Sequence, residues 1–149
     1  MIASDTLAAF CLPNLAATEA LGRRIAAALR PGDAVLLDGP LGAGKSALAR
    51  ALIRAAVGDP ALEVPSPSYT LVQAYDTSMG PLHHFDLWRL DGPGAVIELG
   101  WDEAIEGVVV VEWADRLGAI RPANALSIRL SFADADARCA ALSGWAQRL

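Results

Sequence analysis

The order of apolar and polar positions along the chain predicts strands that alternate with helices. The run Val108–Val111 is wholly apolar and β-branched, which is typical of a strand buried on both faces. From Ala17 to Leu29 the apolar residues instead recur at helical spacing, with Asn14 or Thr18 as the residue that caps the start. By the same criteria, strands are also predicted at 6–12, 34–38, 70–75, 82–90, 125–132 and 138–142. Further helices are predicted at 47–56, 95–100 and 101–105, a helical turn at 114–118, and a short helix in the last residues.

A glycine-rich turn joins the predicted strand Ala34–Asp38 to the helix predicted at 47–56. From Gly39 to Ser46 it has the sequence G-P-L-G-A-G-K-S, which fits the P-loop pattern G-x-x-x-x-G-K-[ST]. Its glycines allow backbone N–H groups to point inward at a phosphate, and the following helix adds the positive end of its dipole. Lys45 is the single lysine of the chain. We expect Lys45 to reach the β- and γ-phosphates of a nucleotide and the Ser46 hydroxyl to ligate Mg²⁺.

A second turn signal divides the middle of the chain. Ser78–Pro81 is rich in turn residues, so the runs on either side, Tyr69–Tyr75 and Leu82–Leu87, are predicted to pair as a β-hairpin. Two prolines impose an extended path on the preceding segment 64–68, which also carries hydroxyl side chains. The segment Ser66–Thr70 is either a nucleotide-sensing switch or a plain connecting loop, and its spacing leaves both open.

Together these elements predict an α/β fold. Because strands alternate with helices around a P-loop, we expect a P-loop NTPase-like three-layer sandwich with a mostly parallel central sheet. The hairpin would extend this sheet in antiparallel fashion. The length of 149 residues is that of about one domain, so residues 1–149 are predicted to be a single P-loop ATPase domain.

Composition narrows the function classes. The formal net charge of −5 argues against binding nucleic acid mainly through a broad basic face, although it leaves open action on RNA within a complex. Cys11 and Cys139 lack metal-site spacing and are too few for a disulfide framework, so two reduced thiols in a cytoplasmic protein are expected. The sequence shows neither a signal peptide nor an apolar run long enough to span a membrane.

One acidic residue follows the valine run directly. In P-loop NTPases a second acid near Mg²⁺ commonly lies at the end of a neighbouring parallel strand, because those strand ends meet at the phosphate crevice. We therefore expect Glu112 to bind the metal, directly or through water, or to orient the attacking water. A surface glutamate in a strand-end turn is the alternative.

A second acidic candidate, Asp86, lies in an aromatic-rich segment. A carboxylate there is costly unless it is paired or solvated, and Arg89 is a candidate partner, so a structural ion pair competes with a chemical role. His83 and His84 are adjacent, and a strand would point them to opposite faces. For both histidines a structural role is favoured over metal binding or acid–base chemistry.

Four motifs in this order resemble those of one known family. They are the P-loop, S-P-S-Y-T-L-V from Ser66, H-F-D-L-W-R-L from His84, and V-E-W ending at Trp113. The combination is similar to TsaE, the small ATPase of bacterial tRNA threonylcarbamoyladenosine synthesis, over roughly residues 12–115. The resemblance implies weak, partner-stimulated ATP hydrolysis with Mg²⁺, in a complex that modifies the adenosine beside the tRNA anticodon. It implies the transferase subunit TsaD and its companion TsaB as partners, with tRNA met only through the complex.

The resemblance also implies roles for individual residues. Lys45, Asp86 and Glu112 would be catalytic, and Ser46 and Glu112 would hold Mg²⁺. Trp113 would lie beside the nucleotide. The remaining nucleotide contacts would be Leu15 and Thr18 near the adenine, with Gly42, Ala43, Gly44, Lys45, Ser46 and Ala47 of the P-loop.

The sequence departs from the family pattern at three positions. Ser68 stands where the family usually has threonine, which keeps a hydroxyl. Ser46 likewise replaces the commoner threonine, a change within the P-loop pattern. Trp88 stands where the family usually has tyrosine, which removes any role of a phenolic hydroxyl.

Two other functions remain open from the residues alone. A small-molecule kinase also begins with G-K-S, but it would need an acceptor pocket and usually an arginine-rich lid, and no such lid segment stands out. A nucleotide-dependent binding module with vestigial hydrolysis is the non-enzymatic alternative. A GTPase is disfavoured, because a chain whose single lysine is Lys45 has no N-K-x-D motif to recognise guanine.

Overall fold

The computed structural model describes residues 6–145 and 148–149. Within these ranges seven strands form one sheet in the order β1-β7-β6-β2-β5-β4-β3. The strands are β1 (Thr6–Leu12), β2 (Ala34–Asp38), β3 (Val72–Thr77), β4 (Gly80–Asp86), β5 (Val108–Glu112), β6 (Leu126–Phe132) and β7 (Arg138–Ser143). The helices are α1 (Leu15–Ala28), α2 (Lys45–Val57), α3 (Pro93–Ile97) and α4 (Trp101–Ala104), with a 3₁₀ segment at Ala114–Ile120.

The centre of the sheet is parallel and both edges are antiparallel. Strands β6, β2, β5 and β4 run in the same direction, whereas β3 pairs antiparallel with β4, and β7 pairs antiparallel with both β6 and β1. The register places Leu37 opposite Glu112 and Asp86 opposite Glu112. The carboxyl ends of β2, β5 and β4 therefore meet at one edge of the sheet. The predicted fold class, including the hairpin extension, is confirmed.

Helices cover the sheet on both faces, which gives three layers. On one face α1 and α2 pack on each other and on a core that includes Ile25, Leu48 and Leu52. On the other face α3, α4 and the 3₁₀ segment bury a second core, in which Trp101 meets Phe85 edge-on at 5.3 Å between ring centroids. All five residues of β5 are buried, as expected for a strand between two layers.

Helix α1 begins earlier than predicted. Asn14 caps it, since its Oδ1 accepts a hydrogen bond from the Ala17 N–H at 2.9 Å. Because this cap lies one residue before Leu15, Thr18 falls inside the helix and is buried. Of the two candidate caps, Asn14 is therefore confirmed and Thr18 is wrong.

The hairpin is confirmed, but both of its outer ends were predicted too long. Strand β3 starts at Val72, because Leu71 adopts a left-handed φ of 70° and donates its N–H to the Pro67 carbonyl at 2.6 Å. Strand β4 ends at Asp86 instead of Leu90. The chain turns after Asp86, and the N–H of Leu90 bonds the carbonyl of Leu87 at 2.9 Å.

Near the chain ends, Arg148 donates to both carboxylate oxygens of Asp33, at 3.2 and 2.6 Å. The short helix predicted for the last residues falls partly on residues 146–147, outside the described ranges.

Cys11 and Cys139 are free and exposed, and they lie opposite each other on β1 and β7. In the described part of the chain, no helix combines the length and apolar character needed to cross a membrane.

Candidate functional site

The glycine-rich turn leaves β2 and opens α2 at the carboxyl edge of the sheet. Gly44 caps α2 with a left-handed φ of 105°, a conformation that favours glycine. A Cβ on Gly39 would lie 2.4 Å from the carbonyl oxygen of Leu130 on the adjacent strand, so no side chain fits there. The glycine-rich turn therefore lies between β6 and α2, and the amino end of α2 faces the space above the turn.

Lys45 is buried at the first residue of α2. Its Nζ donates to the carbonyls of Gly39 and Pro40 at 2.7 and 2.9 Å and lies 4.2 Å from the centroid of the Trp113 ring. Burial lowers the pKa of Lys45, against the opposing attraction of nearby acids, chiefly Glu112. The ammonium is thereby held beside the turn by neutral acceptors and an aromatic face.

Glu112 is the acidic centre of the site. It is 2% exposed, and its two carboxylate oxygens have different partners. Oε1 accepts from the Ser46 hydroxyl at 2.7 Å, and Oε2 lies 2.7 Å from Nε2 of His84. The residue is therefore a buried carboxylate in direct contact with the P-loop serine, and the alternative of a surface glutamate is wrong.

The donor set fits Mg²⁺. Ser46 and Glu112 offer hard oxygen atoms side by side, and Mg²⁺ is usually held by one or two protein oxygens together with phosphates and waters. Within the described ranges no group of three His, Cys, Asp or Glu side chains is arranged to hold a metal on its own. Such a pair suits a metal that arrives with a nucleotide better than a permanently bound ion.

Asp86 lies beside Glu112 on the neighbouring strand. Its carboxylate accepts from the Trp88 N–H at 3.3 Å and faces the Ser66 and Ser68 hydroxyls at 3.3 and 3.5 Å. Burial raises the pKa of Asp86, and the charge of Glu112 raises it further. The hydroxyl-rich loop therefore reaches the site through this carboxylate.

The alternative in which Asp86 forms a structural ion pair with Arg89 is wrong. Arg89 instead donates to the carbonyls of Ser68 and Tyr69 at 3.0 and 3.1 Å. The chain turns after Asp86, so the guanidinium is directed to the loop before β3 instead of back into the site. Asp86 is consequently satisfied by neutral donors.

Trp113 follows Glu112 in a left-handed conformation with φ of 58°, which is uncommon for a residue other than glycine. The next turn is held in place by Asp38 at the end of β2. Its carboxylate accepts from the N–H of Asp115 at 2.9 Å and from Arg121 at 3.2 Å. This conformation turns the indole back over the ammonium of Lys45.

A cavity of about 710 Å³ opens between these elements. It is lined by most of the predicted site residues: Gly42, Gly44, Lys45, Ser46, Ala47, Asp86, Glu112 and Trp113. Ser66, Ser68, Trp88 and Leu41 complete its wall. Three predicted contacts lie outside the lining: Leu15 is exposed at the start of α1, whereas Thr18 and Ala43 are buried.

Sequence reasoning missed two residues beside the P-loop. Arg138 of β7 approaches the Gly42 carbonyl with Nη2 at 3.4 Å, and its guanidinium lies 4.8 Å from the ring centroid of Phe132. Phe132 ends β6 and is 54% exposed. The available signal was that Phe132 continues the apolar alternation of Leu126, Ile128 and Leu130 past the buried part of the strand.

Comparison with known proteins finds one family. A family model described as "Threonylcarbamoyl adenosine biosynthesis protein TsaE" matches residues 12–140. The tRNA threonylcarbamoyladenosine biosynthesis protein TsaE of Rickettsia felis is 34% identical over 128 residues, covering 85% of this chain and 74% of that protein. The protein of the same name from Bacillus subtilis is 33% identical over 123 residues, covering 81% and 75%.

A solved structure is similar as well. The crystal structure of Bacillus subtilis YdiB matches with a TM-score of 0.77 at 28% identity, covering 95% of this chain and 87% of that one. The sequence matches reach 30% identity over most of the chain, and the family model spans the P-loop, Asp86 and Glu112 together. The chain therefore belongs to the TsaE family.

Proposed function

We propose that this chain is the ATP-binding and ATP-hydrolysing component of the complex that makes threonylcarbamoyladenosine in tRNA. The observation that carries the proposal is the contact between Ser46 and Glu112 at 2.7 Å, next to Lys45 and inside a cavity lined by the P-loop. A complete P-loop and an acid that touches it are two of the parts from which P-loop NTPases build a phosphoryl-transfer site. The names of the relatives support the tRNA modification.

The residues of the site have separable roles in this proposal. Lys45 would exchange its two carbonyl acceptors for the β- and γ-phosphates, and the backbone N–H groups at the start of α2 would bind the same phosphates. Ser46 and Glu112 would hold Mg²⁺, which supplies positive charge beside the transferring phosphoryl group. Trp113 would lie beside the nucleotide, where its ring already contacts Lys45.

Asp86 is proposed to position the attacking water or to couple hydrolysis to a partner. Its carboxylate lies in the same cavity as Glu112 and faces the Ser66 and Ser68 hydroxyls. The raised pKa of Asp86 makes it a better proton acceptor than an exposed aspartate. The loop carrying Ser66 and Ser68 would then sense whether nucleotide is bound, because both hydroxyls face Asp86, the residue proposed to act in hydrolysis.

Partner stimulation is proposed because large apolar side chains are exposed in the wall of the cavity and next to it in the chain. Leu41, 82% exposed, and Trp88, 49% exposed, line the cavity. Tyr69, 90% exposed, follows the lining residue Ser68. Apolar side chains grouped at a functional site are typical of protein contact surfaces. TsaD and TsaB are the proposed partners, tRNA would be met through them, and the chain would act as one domain in the cytoplasm.

Phosphate release from ATP tests the proposal. The chain alone, TsaD with TsaB, and all three together are each assayed with Mg²⁺. We expect slow release from the chain alone and at least about tenfold faster release from the full set, a barrier lower by roughly 1.4 kcal/mol. Lys45→Ala should abolish the stimulated rate.

The same assay separates the alternatives. ATP binding without any release, even with both partners, would favour a nucleotide-dependent binding module. Phosphate transfer to a small molecule, with no response to TsaD and TsaB, would favour a kinase.

A further inference from the structure

His84 meets the central carboxylate of the site from inside the protein. It lies on β4, two residues before Asp86, so both side chains are on the same face of the strand. Its Nε2 is 2.7 Å from Oε2 of Glu112. Both side chains are 2% exposed. Because a carboxylate oxygen can only accept, the hydrogen of this bond is carried by Nε2.

This contact divides the carboxylate of Glu112 between two partners. His84 occupies Oε2, and the Ser46 hydroxyl occupies Oε1. In the described part of the chain, Nδ1 of His84 is buried without a hydrogen-bond partner. Among the described residues, the His84 imidazole therefore has Glu112 as its hydrogen-bond partner.

We propose that His84 is a positioning residue: it holds Glu112 so that Oε1 faces Ser46 and the metal that accompanies the nucleotide. This inference rests on the proposed function of Glu112 as a metal ligand. A glutamate side chain has three rotatable bonds, and Glu112 also lies beside the like charge of Asp86. Without the bond from His84, the carboxylate loses the contact that keeps it turned toward the serine.

His84 differs from its neighbour His83 in what it contacts. His83 lies on the opposite face of β4 and packs beside Phe85, with 6.3 Å between ring centroids. The two adjacent histidines are thus a matched pair, one in contact with Glu112 and one outside the site. Partners bound to a metal-ligating group typically change metal affinity about 10- to 100-fold when they are removed.

The test compares His84→Leu, His84→Gln and His83→Leu. His84→Leu cannot donate, whereas the amide of His84→Gln reaches about the place of Nε2. The readout is equilibrium binding of a fluorescent ATP analogue, titrated with Mg²⁺ and repeated without it. We expect His84→Leu to need about tenfold more Mg²⁺ for half-maximal enhancement of binding, with Mg²⁺-free affinity unchanged. His84→Gln should recover most of this loss, and His83→Leu should match the wild type.

A folded His84→Leu variant with the wild-type Mg²⁺ requirement would overturn this inference and leave the proposed function standing. Equal losses of Mg²⁺-free affinity in His84→Leu and His84→Gln would overturn it too, since they indicate a structural role. If His84→Leu does not fold, His84→Asn takes its place, because its shorter amide does not reach Glu112. If ATP binding by the wild-type chain is independent of Mg²⁺, the proposed function and this inference are both overturned.

Discussion

Replacement of Glu112 tests the carboxylate that contacts both the P-loop serine and His84. Glu112→Ala removes the acceptor of two hydrogen bonds, each 2.7 Å long. Ser46 lines the open cavity, so its hydroxyl can turn to water. His84 is buried, so its donor stays unsatisfied, at a cost to folding of about 1–3 kcal/mol. Glu112→Gln keeps the volume and avoids most of this cost while removing the charge.

Both variants should lose at least about tenfold in phosphate release, roughly 1.4 kcal/mol of transition-state stabilisation. The assay measures release with TsaD, TsaB and saturating Mg²⁺ and ATP, alongside chemical denaturation to confirm folding. Glu106→Ala, which removes an exposed glutamate outside the site, is the matched control and should change neither quantity. Unchanged phosphate release in a folded Glu112→Ala variant would refute the assignment of Glu112 to the metal.

Three further variants, at Asp86, Gly22 and Arg138, give the remaining predictions. Asp86→Asn should keep ATP affinity and lose turnover, and unfolding with loss of binding would instead indicate a structural role. Because burial and Glu112 raise the pKa of Asp86 above its unfolded value, this group's contribution to stability falls as pH rises through the raised pKa. Denaturation should therefore find Asp86→Asn more stable than wild type at neutral pH and nearly equal in acid. Gly22→Ala should cost about 1–3 kcal/mol by overpacking, since its Cβ would lie 2.7 Å from that of Ala51; a more stable variant in urea denaturation would contradict the close approach of α1 and α2. Arg138→Ala should cost about 0.5–1 kcal/mol through loss of its contact with an aromatic ring, and unchanged thermal unfolding would argue against that contact.

The parts of the site that follow from local sequence were predictable. The P-loop is continuous in the chain, so its glycines, Lys45 and Ser46 are recognised together. Glu112 was predictable because the valine run before it fits a strand buried on both faces and leaves little choice about where the strand ends. Parallel strands then bring that end to the P-loop.

Contacts that depend on the register of paired strands or on the path of a turn were not predictable. The bond between His84 and Glu112 depends on the register of β4 against β5, which no local pattern specifies. The alternative of an Asp86–Arg89 ion pair was wrong because the chain turns after Asp86, whereas the sequence pattern predicts a strand that continues to Leu90. Arg138 reaches the P-loop because β7 pairs back on β6, a pairing whose exact register depends on the tertiary fold.

The central claim is that ATP hydrolysis by this chain supports tRNA modification. The direct measurement is the threonylcarbamoyladenosine content of tRNA in a bacterium depleted of its own TsaE and supplied with this chain. We predict that the wild-type chain restores the modified nucleoside, and that Glu112→Gln, produced at the same level, does not. Equal restoration by both chains, or none by a folded wild-type chain that binds the host TsaD and TsaB, would contradict the account.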